Sequence, residues 1–274
     1  MTAPDGRAIE VLVRAGDDAT TVVLHGGTPG GLVALPDQWL GDHRSRLVLY
    51  ARPGYGESDP QPGRSVADAA ADTATIMDAL GVESFAAVGW SGGGPHALAC
   101  AALLPQRCLA TAIIAGLAPP SAGVTDWTIG RSGMALQGDD EGLAAALEAD
   151  RAESVTMQKA DLPELFTSEA DRAAVTGDFA DWLIDSFRTA FAGGVSGARD
   201  DYMAFVRDWG FDLATARNVT IWQGDQDDNV VPAEAHWLAE QIPNSALRVL
   251  AGEGHLSIAL RLPEILHDLT ARAR

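Results

Sequence analysis

Basic charge is what this sequence has least of. Lys159 is the only lysine, and 19 basic side chains face 38 acidic ones, a formal net charge of −19 with the six histidines neutral. Such a chain repels phosphate backbones and anionic lipid, which argues against a nucleic-acid or membrane partner and for a small neutral or weakly charged one. Cysteine is almost as scarce: Cys100 and Cys108 both sit in alanine-rich apolar sequence. Two cysteines cannot staple a chain of this length, so they read as buried thiols of a cytoplasmic protein. No apolar run reaches the length of a membrane span. Met1 to Gly6 has no basic patch leading into an apolar run, so no signal peptide is expected. Repeats and low-complexity linkers are missing as well. What remains is ordinary globular composition, 47% hydrophobic and 21% charged over 274 residues. That length suits one large α/β domain or one carrying a sizeable insertion.

Short apolar runs alternate with longer helical patterns, the rhythm of strands joined by crossover helices in a mostly parallel sheet. Ile9 to Arg14 and Thr21 to Leu24 read as an opening pair of strands, Arg46 to Tyr50 as the next. A helix is expected from Ser65 to Leu80 with Gly81 as its stop, then a buried strand from Phe85 to Gly89, a helix from Gly94 to Leu104 and a strand from Leu109 to Ala115. From Pro119 to Gly210 no strand-like run appears, and the segment reads as several short helices separated by glycines: a helical cap insertion over 119–210 in a core formed by 1–118 and 211–274. Alternation resumes with a strand at Val219 to Gln223, a helix at Pro232 to Gln241, a strand at Ala246 to Leu250 and a last helix from Leu256 to about Ala271.

The chemistry concentrates at the carboxyl ends of these strands, where open α/β folds bind ligands. Gly89-Trp90-Ser91-Gly92-Gly93 lies between a buried strand and a helix. A strand-to-helix turn that tight requires small flanking residues and holds its serine in a strained conformation with the hydroxyl projecting above the sheet. A serine hydroxyl is a weak nucleophile until a histidine takes its proton and a carboxylate orients that histidine. Asp225, Asp227 and Asp228 follow one late strand, and His255, in Gly252-Glu253-Gly254-His255, follows the next. The order along the chain is therefore serine, aspartate, histidine. His25-Gly26-Gly27-Thr28-Pro29-Gly30 follows an early strand, and its glycines allow a backbone N–H to approach a developing oxyanion. Gly27 is favoured as that donor, with Thr28 as the alternative one residue on, and Gly92 supplies the second N–H.

In these stretches, together with Arg52-Pro53-Gly54-Tyr55-Gly56-Glu57-Ser58 and Trp222-Gln223-Gly224-Asp225-Gln226-Asp227, the chain resembles the α/β-hydrolase-fold enzymes. The resemblance spans nearly all of the chain outside the cap segment. It implies a nucleophile, acid and base under a variable helical cap, with no metal or organic cofactor. By position it assigns Ser91 as nucleophile, His255 as base and Asp227 as acid. Family spacing after Gly224 selects Asp227, whereas measuring back from Pro232 selects Asp228. Dehalogenases and epoxide hydrolases of this fold carry an aspartate where Ser91 stands.

The expected function is hydrolysis of an ester or related acyl bond in a small, largely apolar substrate, of the carboxylesterase kind. Carbon–carbon bond hydrolases and peptidases or amidases share the same triad, and a non-catalytic ligand-binding protein of this fold is the reading from another class. Homodimerisation is left open. Among the other histidines, His25 reads as a brace for the oxyanion loop, His96 as a packed or capping residue, and His43, His236 and His267 as solvated. Arg52 to Ser58 reads mainly as turn chemistry. Aromatics of the cap such as Phe166, Phe179, Trp182 and Phe187 divide between its own small core and the wall of an apolar pocket.

Overall fold

In the computed structural model, which describes residues 1–16 and 20–274, one sheet of seven strands runs through the molecule. The strands are β1 (Val11–Arg14), β2 (Thr21–His25), β3 (Arg46–Tyr50), β4 (Phe85–Trp90), β5 (Cys108–Ile114), β6 (Val219–Gly224) and β7 (Ala246–Leu250). Their order across the sheet is β1-β3-β2-β4-β5-β6-β7. Only the edge pair β1 and β3 is antiparallel. The two opening strands are thus not neighbours, because the crossover from β2 brings β3 between them. The central strands read as continuous apolar runs for a physical reason: both of their faces are covered.

Alternation along each strand divides the core in two. Val23, Ala87, Ile113 and Ile221 face α1 (Asp68–Ala79), α2 (Gly93–Leu103) and α8 (Pro232–Gln241), whereas Val22, Val88, Ile114 and Trp222 face α9 (Leu262–Arg272). The helix expected from Ser65 begins at Asp68 instead, with the Ser65 hydroxyl and N–H both donating to the Asp68 carboxylate. The last helix divides in two: a 3-10 turn at Ser257–Arg261 precedes α9, and Pro263, which has no N–H to donate, stands in the first turn of α9.

Between β5 and β6 the chain forms α3 (Gly130–Gln137), α4 (Asp140–Thr156), α5 (Glu169–Ala174), α6 (Gly177–Ala190) and α7 (Ser196–Phe205). Glycines punctuate them: Gly138, at φ +72°, closes α3, and Gly177 opens α6. Not all are short. With glycine only in its first turn, α4 runs for 17 residues, and Asp139 caps it by accepting from the Gly142 N–H. Phe166 and the α6 residues Phe179, Trp182 and Phe187 of this segment line a cavity that Ser91 also borders.

Candidate active site

The turn from β4 into α2 takes two residues. Ser91 holds φ +54°, and its N–H donates to the Ile114 carbonyl at 2.8 Å. A side chain on Gly89 would collide with the Gly93 carbonyl, and one on Gly93 with the His25 carbonyl. The glycines therefore permit the helix to leave the sheet at this angle, and the serine is left at its apex.

His255 lies in the loop after β7, its Nε2 3.0 Å from Ser91 Oγ. Its other nitrogen, Nδ1, lies 2.9 Å from Asp227 Oδ2. Beside a carboxylate Nδ1 carries the proton, which leaves Nε2 to accept from the serine hydroxyl. Asp227 is itself fixed: Oδ1 accepts from the N–H groups of Asn229 and Val230 at 3.0 and 2.8 Å, and Oδ2 from the Gln223 amide at 3.0 Å. Asp228 turns away and accepts from the Thr167 hydroxyl, while Asp225 accepts from the Gly252 N–H. Of the three neighbouring aspartates, Asp227 is the one that meets His255. Burial opposes the imidazolium, but the charge and hydrogen bond of Asp227, with Asp171 and Asp228 further off, outweigh it and hold the His255 pKa above its ordinary value.

Gly27 lies against Ser91, for a Cβ built there would stand 3.6 Å from the Ser91 Cβ. Its carbonyl, and that of Gly26, accept from the two terminal nitrogens of Arg52 at 2.7 and 2.6 Å. Arg52 is thus a buried cation that holds the loop, a function the reading of its segment as turn chemistry missed. His25 is buried beneath the loop against Tyr50, and His96 is buried in α2 with Nδ1 2.9 Å from the Gly92 carbonyl. His236 and His267 are exposed.

Two carboxylates of the helical segment also reach the site, and nothing local in the sequence marks either. Asp171 on α5 accepts from three successive N–H groups, those of His255, Leu256 and Ser257, at 2.8 to 2.9 Å. Asp201 on α7 binds Arg52, Arg64, Tyr55 and Thr28. Burial would raise its carboxyl, but the charges of Arg52 and Arg64 reverse that and hold it well below the usual carboxylate range.

Above Ser91 opens a cavity of about 300 Å³ bordered by Gly27, Ser91 and His255. Its wall is aromatic. Phe179 and Trp182 of α6 stack at 6.2 Å with planes 7° apart, and Trp39 meets both edge-on at 5.2 and 5.4 Å. Trp90 continues the row between Trp182 and His255. Among the described residues no group of three or more histidine, cysteine, aspartate or glutamate side chains is placed to hold a metal ion. No described helix is long and apolar enough to cross a membrane.

The family model of the α/β hydrolase fold matches residues 20–261. The chain belongs to the α/β-hydrolase-fold family. Over 280 residues this α/β-hydrolase-fold protein is 29% identical to a non-heme chloroperoxidase of Streptomyces lividans, covering 99% of this chain and 98% of that protein. It is 27% identical to part of the polyketide synthase ThaQ of Burkholderia thailandensis, covering 93% of this chain but only 12% of the synthase. Among solved structures, the esterase RhEst1 from a Rhodococcus species superposes with a TM-score of 0.70 at 20% identity, covering 99% of this chain and 96% of that one. The chain is therefore a member of a hydrolase family with the hydrolase sheet, and its particular chemistry rests on its own residues.

Proposed function

We propose that this protein is a serine hydrolase cleaving an ester, or a related acyl bond, of a small and largely apolar substrate, with the segment over the sheet acting as a cap. The observation that carries this reading is the line of hydrogen bonds from Ser91 through His255 to Asp227, opening into an apolar, aromatic cavity. Ser91 Oγ attacks the substrate carbonyl as His255 Nε2 takes its proton, and Asp227 holds the imidazole and stabilises the imidazolium. The tetrahedral oxyanion is met by the N–H groups of Gly27 and Gly92. Its collapse returns the proton from His255 to the leaving group, and water, activated by the same base, cleaves the acyl-enzyme.

The test is the initial rate on p-nitrophenyl esters of increasing acyl length, wild type beside Ser91→Ala and His255→Ala. Each substitution is expected to lower kcat by at least about a thousandfold. The size of the cavity predicts an optimum in acyl length. A folded wild type that turns over no ester would overturn the ester reading, and amides, carbon–carbon substrates and simple ligand binding would then be assayed in its place.

A further inference from the structure

Behind the loop that carries Gly27 lies a cluster of buried charge outside the line from Ser91 to Asp227. Asp201 on α7 is completely buried. Its Oδ2 accepts from Thr28 Oγ1 at 2.6 Å, Tyr55 Oη at 2.8 Å and an Arg52 terminal nitrogen at 2.6 Å, and its Oδ1 from Arg64 at 2.7 Å. Arg52 Nε also donates to Asp201, at 3.2 Å, while its two terminal nitrogens donate to the carbonyls of Gly26 and Gly27. Next to Asp201, at 3.7 Å, stands Nε2 of His96, whose Nδ1–H donates to the Gly92 carbonyl. Packing couples the same two places, since a Cβ on Gly92 would come within 2.9 Å of the Thr28 Cβ. One carboxylate of the helical segment therefore binds the Gly26–Thr28 stretch through Arg52 and Thr28, and through the packing of Thr28 it borders Gly92.

We infer that Asp201 is a positioning residue for the reaction, acting through Arg52 to hold the Gly26–Thr28 backbone at the angle that aims an N–H at the oxyanion, and resting on the oxyanion role proposed for Gly27. A peptide whose carbonyl is pinned has its plane fixed, and so has the N–H on the other side of that plane. Arg52 pins two successive carbonyls, and its planar fork matches that task where a lysine could not. Asp201 in turn fixes the fork and the Thr28 hydroxyl together. The helical segment is then part of the catalytic frame, because removing its α7 removes the support of the loop.

The experiment compares wild type, Asp201→Asn and Tyr55→Phe, each shown folded by circular dichroism. Readouts are kcat and KM on short and long p-nitrophenyl esters, and hydrogen exchange of residues 25–31. Asn is isosteric but loses the charge that orients both guanidiniums. A loosened donor is expected to lower kcat by about a hundredfold for Asp201→Asn and several-fold for Tyr55→Phe. KM should stay within about threefold, with the same factor at every acyl length because the oxyanion is common to all. Exchange in 25–31 should rise in both variants. Should Asp201→Asn not fold, Tyr55→Phe decides alone, since it removes one hydrogen bond and leaves the ion pairs in place. An unchanged or increased kcat with unchanged exchange overturns the inference, as does a loss confined to KM or to long acyl chains. A wild type inactive on esters would overturn the ester reading instead, and the exchange comparison would still judge Asp201.

Discussion

Asp227 and Asp228 are adjacent, and the difference between them lies in which atoms each one meets. Asp227 has all but one of its acceptor positions occupied by two backbone N–H groups and the Gln223 amide, so the His255 Nδ1–H takes what is left. Asp228 bonds the Thr167 hydroxyl on the outside. Asp227→Asn is therefore expected to lower kcat by about a thousandfold or more, since an amide favours the wrong tautomer, whereas Asp228→Asn stays within several-fold. The pH profile follows from the same contacts. As the proposed base, His255 must be neutral, so kcat/KM is expected to rise with pH through its pKa. The carboxylate raises that pKa, which places the midpoint of the acid limb above 6.5. An acid limb at or below 6.5 in the wild type would show that the contact with Asp227 does not outweigh the burial of the imidazole.

At the scale of elements, the site is an assembly of loops, and the loops differ in how far their supports lie along the chain. The elbow is local: Gly89, Ser91 and Gly93 fall within five residues that join the end of a strand to the start of a helix, so its geometry was legible in the sequence. The carboxylate loop after β6 is local too. Arg52 was visible as a residue but not as a function, because the carbonyls it holds belong to a loop some 25 residues earlier. Asp171 and Asp201 were not legible at all. Each sits in a short polar helix where many carboxylates are solvated, and only the fold brings α5 to the His255 loop across 84 residues and α7 to the Gly26–Thr28 loop across 173. The start of α9 is legible only in part: Pro263 stands in plain sight, but the 3-10 turn before it is set by contacts with distant Asp171. Asp171 supplies an element-scale prediction. It accepts from the N–H groups of His255, Leu256 and Ser257, the stretch leading into a 3-10 turn that has no side-chain cap of its own. Asp171→Ala leaves three buried donors unpaired and is expected to cost about 2 kcal/mol or more in chemical denaturation, with kcat falling as His255 loosens. A variant as stable as wild type would show that water replaces the carboxylate and that α5 does not hold the His255 loop.

For the molecule as a whole, the buried imidazoles set how it meets acid. His25 lies on the α1–α2 side of the sheet, packed edge-on to Tyr50, and His96 lies in α2 beside Arg52 and Asp201. Burial, and next the charge of Arg52, hold the His25 pKa down to about 3, and the same two causes hold His96 well below its ordinary value. Both are neutral in the folded chain, yet both bind a proton near pH 6.5 once it unfolds. Between 6.5 and about 3 the unfolded state therefore carries more protons, and stability falls as the pH falls. At pH 5 the cost for His25 is about 2 kcal/mol. His255 acts in the opposite sense: its raised pKa gives stability that is present below 6.5 and is lost as the pH climbs through the folded value. Of these three imidazoles two oppose one, so the unfolding temperature is expected to drop by several degrees from pH 7 to pH 5. Substituting His96 by Asn, which keeps a donor for the Gly92 carbonyl but cannot titrate, should flatten that slope by about the contribution of one histidine. A wild-type unfolding temperature that is level between pH 7 and 5 would mean that these imidazoles reach water in the folded protein, and that the polar cluster around Asp201 is wetter than its packing implies.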